Sequence, residues 1–284
     1  MKKTLKGHLR DYGNRPKKSL GQVFLIEPSV QARILELADL GAADTIVEIG
    51  PGTGTLTRDI LPHVKRLIAL EIDPALVSFL NASMKESSNL HLLCADALRF
   101  DYERASAVAG TRLKVIGNLP YVISAPLLFT FLEQRKAFSL LVLMLQKEVA
   151  QRLTAPPGTK QYGTVSVLCR AFFDIRLERQ VSRNCFSPVP KVDSAVLRFI
   201  PREAGLCPEV AERAFREVVR AAFSKRRKTL FNALRSSLPS GIAGERLRQI
   251  LDACRIDPQR RPETLSAEEY VQLALHVQEE HPLR

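Results

Sequence analysis

Thr45-Ile46-Val47-Glu48-Ile49-Gly50-Pro51-Gly52-Thr53-Gly54 decides the architecture of this chain. A short apolar, β-branched run ends in three alternating glycines, and helical periodicity begins near Thr55. A strand that turns through glycines into a helix opens a nucleoside-binding βα unit. Lacking a Cβ, such a turn lets the backbone approach a ligand closely. The spacing is GxGxG, with Thr at position 55, so it departs from the GxGxxG dinucleotide fingerprint. No GxxxxGK[ST] run occurs, which excludes a phosphate-cradling P-loop.

Outward from this stretch, strand-length apolar runs recur at 67–72, 90–94, 113–117 and 139–146. Helical periodicities separate them: one over 30–40, one carried by Leu76, Val77 and Leu80 behind Pro74, and one by Leu127, Leu128 and Phe131. Strand and helix in alternation predict an α/β fold, a Rossmann-like parallel sheet with helices on both faces. Val165, Leu168, Cys169 and Phe172 mark a further helix, and 174–181 and 193–200 read as two more strands joined by a Pro-rich loop. Past Pro201 the periodicity is helical to the end, with 201–208 as the linker. The expected division is a basic N-terminal arm over 1–20, an α/β domain over 21–201, and a small all-α C-terminal domain over 202–284.

Carboxylates sit where the strands of such a sheet end. Glu71 closes the second strand, 21 residues past Gly50, where it can accept hydrogen bonds from ribose hydroxyls. Asp96 follows the third, where it can accept from an adenine amino group. With Gly50, Gly52 and Gly54 they form one set at the ligand-binding edge. A nucleoside cofactor without phosphates fits this set, and S-adenosyl-L-methionine is the common one.

The fourth strand runs into Asn118-Leu119-Pro120-Tyr121, facing the same crevice. The lone pair of adenine N6 is delocalised into the ring, so this amine is a poor nucleophile. An acceptor holding its N–H favours tetrahedral geometry. The Asn118 side-chain carbonyl and the Leu119 backbone carbonyl are suited to that as positioned dipoles. Pro120 stiffens the loop, and Tyr121 offers a face for base stacking.

At 284 residues and 45% apolar content, the chain can bury a sizeable core. Its 25% charged residues and ordinary Gly and Pro content exclude disordered and fibrous classes. No apolar run approaches the roughly 18 residues that span a bilayer. No apolar segment follows Lys2 and Lys3 as a secretory signal requires. The five cysteines are widely spaced with no CxxC, so neither a disulfide framework nor a structural zinc site is expected, and a reducing cytoplasm fits.

The net charge of +12 lies in two places. Residues 1–20 carry +6 and residues 202–261 carry +7, whereas 21–201 carry +3 and 262–284 carry −4. The densest part, 218–235, includes Arg220, Lys225, Arg226, Arg227, Lys228 and Arg235 and holds no acid. Solvated helix faces mix signs, so this segment is read as a nucleic-acid contact.

Together these motifs resemble the KsgA-type small-subunit rRNA adenine N6,N6-dimethyltransferase family over nearly the whole chain. The resemblance runs from Leu20-Gly21-Gln22-Val23-Phe24-Leu25 through the glycine loop, Asn118–Tyr121 and Leu145-Gln146-Lys147-Glu148-Val149. It continues in Phe186-Ser187-Pro188-Val189-Pro190-Lys191-Val192-Asp193-Ser194-Ala195-Val196 and Phe223-Ser224-Lys225-Arg226-Arg227-Lys228-Thr229. It implies a class I methyltransferase sheet and dimethylation of N6 on two adjacent adenines in the 3′-terminal hairpin of small-subunit rRNA. It further implies a monomer acting in the cytoplasm, away from membranes, on a partly assembled 30S particle. By the same resemblance Gln22, Val23 and Leu25 cover the methionine end of the cofactor and Gly50 lies against it. Glu71 would hold its ribose, Asp96 its adenine, and Asn118, Tyr121 and Phe186 the target base. Stacking on Tyr121 and Phe186 would offset the cost of unstacking that base.

Two positions depart from the family pattern, which usually has Asn at both Val23 and Val122. Val23 has no side-chain hydrogen bond to give, so any contact there must run through its backbone. The alternatives are an Erm-type large-subunit rRNA methyltransferase and a non-catalytic nucleic-acid-binding relative. Leu119 and the Lys225–Thr229 segment favour the small-subunit reading over the first; Asn118, Tyr121 and the cofactor residues favour it over the second.

Overall fold

The structure is a computed structural model that describes residues 16–17, 20–225, 227–238 and 242–280. The chain folds as two units: Met1–Ala150 with Arg176–Pro201, and Gln151–Ile175 with Arg202–Arg284.

The first unit opens with β1 (Phe24–Leu25) and α1 (Pro28–Ala38), followed by β2 (Thr45–Ile49), α2 (Thr55–Ile60) and β3 (Arg66–Glu71). Then come α3 (Pro74–Ser83), β4 (Leu90–Cys94), α4 (Tyr102–Ala109), β5 (Leu113–Asn118), α5 (Ser124–Glu133) and β6 (Phe138–Gln146). Helix α6 (Lys147–Thr154) leads out of it, α7 (Thr164–Phe172) belongs to the second unit, and β7 (Phe173–Val181) leads back. Strands β8 (Phe186–Ser187) and β9 (Ser194–Pro201) complete it.

Seven strands form one sheet in the order β4-β3-β2-β5-β6-β9-β7, with helices on both faces. Strand β2 is interior, between β3 and β5, and all five of its residues are buried. The expected parallel pairing holds from β4 to β6. Strand β9 runs antiparallel to β6, so the sheet is mixed. No α-helix intervenes between β7 and β9, and a parallel neighbour needs such a crossover. The core beneath β2, β5 and β6 joins Ile46, Ile116, Val142 and Met144 to Val30 and Ile34 of α1.

The helices that frame the strand ends start where their caps dictate. Asp73 accepts from the Ala75 amide ahead of Pro74, and Asp101 accepts from the Arg104 amide to start α4. A feature absent from the sequence reading is a second, two-stranded sheet. Here β1 pairs antiparallel with β8, setting Leu25 opposite Phe186.

The second unit is helical. Beside α7 it holds α8 (Glu212–Phe223), α9 (Leu230–Ser237), α10 (Gly244–Ala253) and α11 (Ala267–Glu280). Its core includes edge-to-face rings, with Phe172 and Phe215 centroids 6.1 Å apart and Tyr162 and Phe223 6.3 Å apart. The expected single boundary at 201 is therefore corrected, because residues 151–175 also belong to this unit. Helix α7 buries Val167, Leu168, Ala171 and Phe172, and its partners are α8 and α11. No helix among the described residues is long and apolar enough to cross a membrane.

Candidate active site

The glycine turn after β2, the end of β3 and the end of β5 line one cleft. A second lobe shares Gly50, Glu71, Ile72 and Pro120 with it and adds Asp96. Of the expected cofactor residues, Gln22, Val23, Leu25, Gly50, Gly52, Glu71 and Asn118 line the first lobe and Asp96 the second. Gly54 lines neither and serves the turn itself. Its φ is +77°, and a Cβ there would stand 2.4 Å from Met84 Cε. Gly52, at φ +58°, packs so closely that a Cβ would lie 3.0 Å from the Phe24 ring.

Glu71 is buried, and its oxygens accept from the Gly52 amide at 3.3 Å and the Asp73 amide at 3.0 Å. Burial pushes its pKa up, against those amide bonds. Sequence reasoning gave no role to the neighbouring Glu48, although it opens the glycine motif. Its carboxylate is 2% exposed, accepts the Thr57 hydroxyl at 2.7 Å and lines the cleft. Burial raises its pKa to about 7, with the Thr57 bond pulling down and the Glu71 charge pushing up. Among the described residues, none that lines either lobe is Lys or Arg. Three carboxylates bordering a cleft disfavour phosphates. Such a cleft suits a nucleoside that carries positive charge.

The segment containing Gln22 is tied down beside this cleft. Gln22 Nε2 donates to Asp73 at 2.8 Å, and its Oε1 accepts from the Lys17 amide at 2.8 Å. Lys17 Nζ reaches the same buried Asp73 at 2.7 Å. Lys17 and Gln22 both bond to Asp73 and hold its pKa below the ordinary carboxylate range, in spite of burial. Gln22 thus presents the cleft with a side chain whose two polar ends already have protein partners.

At the end of β5, Asn118 Nδ2 donates to the Val23 carbonyl at 3.1 Å. The contact at Val23 therefore runs through its backbone, as its side chain requires. The Leu119 amide donates to Met144 O, and Pro120 O accepts from the Ile123 amide and the Ser124 hydroxyl. Among the described residues no donor takes the Leu119 carbonyl. Asn118 Oδ1 and Leu119 O are thus the acceptors of this loop. The half-buried Tyr121 hydroxyl lies 3.0 Å from Ser194 Oγ, which fixes the ring, and burial raises its pKa. Phe186 is 1% exposed and belongs to the same core as Leu25 and Val30. The structure does not bring it out as an open face for a base.

The expected RNA-contacting cations fall in the second unit. Arg220 is exposed on α8, and Lys225, Arg227 and Lys228 are exposed in the turn between α8 and α9. Arg226, like most of the basic arm at 1–15 and 18–19, lies outside the described residues.

Residues 13–273 match the family model described as ribosomal RNA adenine dimethylase. A Geobacter metallireducens protein named ribosomal RNA small subunit methyltransferase A is 46% identical over 94% of this chain and 97% of its own length. Among solved structures, a dimethyladenosine transferase from Plasmodium falciparum matches with a TM-score of 0.78 at 25% identity, covering 89% of this chain and 96% of that one. The 23S rRNA methyltransferase ErmE matches with 0.68 at 25% identity, covering 89% and 98%.

Proposed function

The chain belongs to the ribosomal RNA adenine dimethylase family and is an rRNA adenine methyltransferase, and on that premise we propose its substrate and mechanism. It dimethylates N6 of two adjacent adenines in the 3′-terminal hairpin of small-subunit rRNA. The methyl donor is S-adenosyl-L-methionine. The protein acts as a cytoplasmic monomer on a partly assembled 30S particle. Relatives named small-subunit methyltransferases support this target over the large subunit.

One observation carries the chemistry: a cleft that among the described residues is bordered by acids and lined by no Lys or Arg opens beside an Asn118 whose amide nitrogen is already bonded. When bound, S-adenosyl-L-methionine supplies an electrophilic methyl group on a sulfonium. Glu71 and Asp96, at the carboxyl ends of β3 and β4, would accept hydrogen bonds from its ribose and adenine. The buried Glu48 and Glu71 favour a cation in the cleft, since ionisation costs each of them less beside positive charge. With Nδ2 on Val23, the Asn118 side chain keeps Oδ1 as its acceptor. Together with Leu119 O, it would hold the two N–H bonds of adenine N6 and turn the lone pair out of the ring. N6-methyladenine has one N–H, so the second transfer engages one acceptor while the other faces the first methyl. Tyr121, anchored by Ser194, would stack on the base.

The test combines the purified protein with labelled S-adenosyl-L-methionine and undermethylated small and large subunits, followed by nucleoside analysis. N6,N6-dimethyladenosine from the 3′ hairpin of the small subunit is expected. The same product from the large subunit alone would overturn the proposed target.

A further inference from the structure

The second unit carries an arrangement of cations that the reaction above does not use. Helix α9 supplies Phe231 and, one turn on, Arg235; α10 supplies Arg248. Both guanidinium groups lie over the Phe231 ring, with Arg235 Cζ 5.8 Å and Arg248 Cζ 5.0 Å from its centroid. The ring is buried and both arginines are exposed.

Neither arginine has an acidic partner among the described residues. Glu245 and Asp252 lie one turn to either side of Arg248 on α10, yet Arg248 sits on the ring. Elsewhere in this unit arginines do pair: Arg213 with Glu217, Arg246 with Glu280 and Arg260 with Glu269. No acid occurs anywhere in 218–235, so α9 offers Arg235 no counter-charge of its own. A guanidinium resting on an aromatic face keeps its N–H edges free for other acceptors. Two positive charges gathered over one ring also repel each other. An anion that meets both relieves that repulsion, and arginine is the side chain that grips phosphate with paired N–H bonds.

We propose that Arg235 and Arg248, held on Phe231, form a clamp for the phosphate backbone of the RNA substrate. The inference rests on the rRNA reading and extends the contact surface from the Arg220–Lys228 segment onto α10. A contact of this kind positions the RNA without reading its sequence.

Binding to undermethylated small subunits is measured across a salt series for wild type, Arg235→Gln, Arg248→Gln and their double variant. Each single variant is expected to weaken binding about three- to tenfold and to lower the salt slope by about one. Arg246→Gln removes the same charge from the same helix, but its guanidinium is bonded to Glu280. It is expected to change affinity less than about twofold. Phe231→Leu keeps an apolar plug and both arginines while removing the aromatic face. It is expected to weaken binding about as much as either single arginine variant. Thermal unfolding confirms that each protein is folded, and methyl transfer by wild type is followed on the same subunits. Wild-type methylation with all variants binding alike overturns the clamp and leaves the rRNA reading standing. An Arg246→Gln effect as large as the others reduces the arginines to net charge and also overturns it. Wild type that neither binds nor methylates the subunits overturns the rRNA reading, and the clamp with it.

Discussion

Asn118 and Val23 show how a single backbone contact sets the use of a side chain. An Asn amide can face a substrate with either end. The bond from Nδ2 to Val23 O chooses the acceptor end. Asn118→Ala is expected to lower kcat by about 10²–10³, the size of effect seen when one preorganised polar group is removed from an active site. Cofactor affinity, measured calorimetrically, should change by only a few-fold if Asn118 acts on the amine as proposed. Equal losses in both would remove the assigned role. Glu48 makes a second expectation at this scale. Its folded pKa of about 7 lies above the ordinary 4.5, so the unfolded chain gives up this proton first as pH rises. Stability from this group is therefore full below about pH 4.5 and lost progressively up to about pH 7. The loss amounts to about 3 kcal/mol at the conversion of about 1.4 kcal/mol per pKa unit. Glu48→Gln can still accept from Thr57 and has no charge to bury. Its Tm in the absence of cofactor should exceed that of wild type at pH 8 and match it at pH 5. Wild type should also bind S-adenosyl-L-methionine more tightly at pH 8 than at pH 6, as Glu48, with its pKa of about 7, ionises near a cation.

At the scale of elements, local pattern carried some pieces and long-range pairing carried others. Strand β2, its glycine turn and the strand ends at Glu71 and Asn118 are legible because each is a local run with its own periodicity and breakers. The two-residue strands β1 and β8 are not, since no period can show in two residues and their partners lie about 160 positions apart. The clasp of Lys17 and Gln22 on Asp73 was hidden for the same reason, joining residues more than 50 positions apart. Phe186 sits on this unseen element, which is why the family resemblance assigned it a base and the fold assigns it a core position. Two substitutions separate those roles. Phe186→Ala should cost about 3–5 kcal/mol in urea unfolding, as large-to-small changes in a packed core do. Phe186→Leu keeps most of the volume and should cost less than about 1.5 kcal/mol. If the ring also stacks on the target base, Phe186→Leu should lower kcat/KM for RNA by about tenfold or more, from the roughly 1–3 kcal/mol a stacked base contributes. Unchanged kcat/KM in a folded Phe186→Leu protein would leave the ring a packing role alone.

For the molecule as a whole, charge separates two kinds of binding that the sequence already showed in different segments. The cleft of the first unit is bordered by Glu48, Glu71 and Asp96 and, among the described residues, lined by no Lys or Arg. The second unit exposes Arg220, Lys225, Arg227 and Lys228, with Arg235 and Arg248 further along the same run of helices. The run of basic residues was readable from composition alone, because acids are missing over eighteen consecutive positions. The membership of residues 151–175 was not. Their apolar face says that a helix is buried but not against which part of the chain. Screening acts on the two kinds of binding differently. Exposed cations that neutralise RNA phosphates release condensed counterions, so RNA affinity should fall by about 10³–10⁵ between 50 and 200 mM salt if six to ten contacts form. A cofactor bound as proposed would lie in the cleft against buried carboxylates, which salt screens weakly. Its affinity should change less than about threefold over the same range. Titrating S-adenosyl-L-methionine and small-subunit RNA in parallel at several salt concentrations checks both slopes on one preparation. An RNA affinity as flat as the cofactor's would mean that the exposed cations of the second unit do not meet phosphates. A cofactor affinity as steep as the RNA's would place its charge outside the carboxylate-bordered cleft.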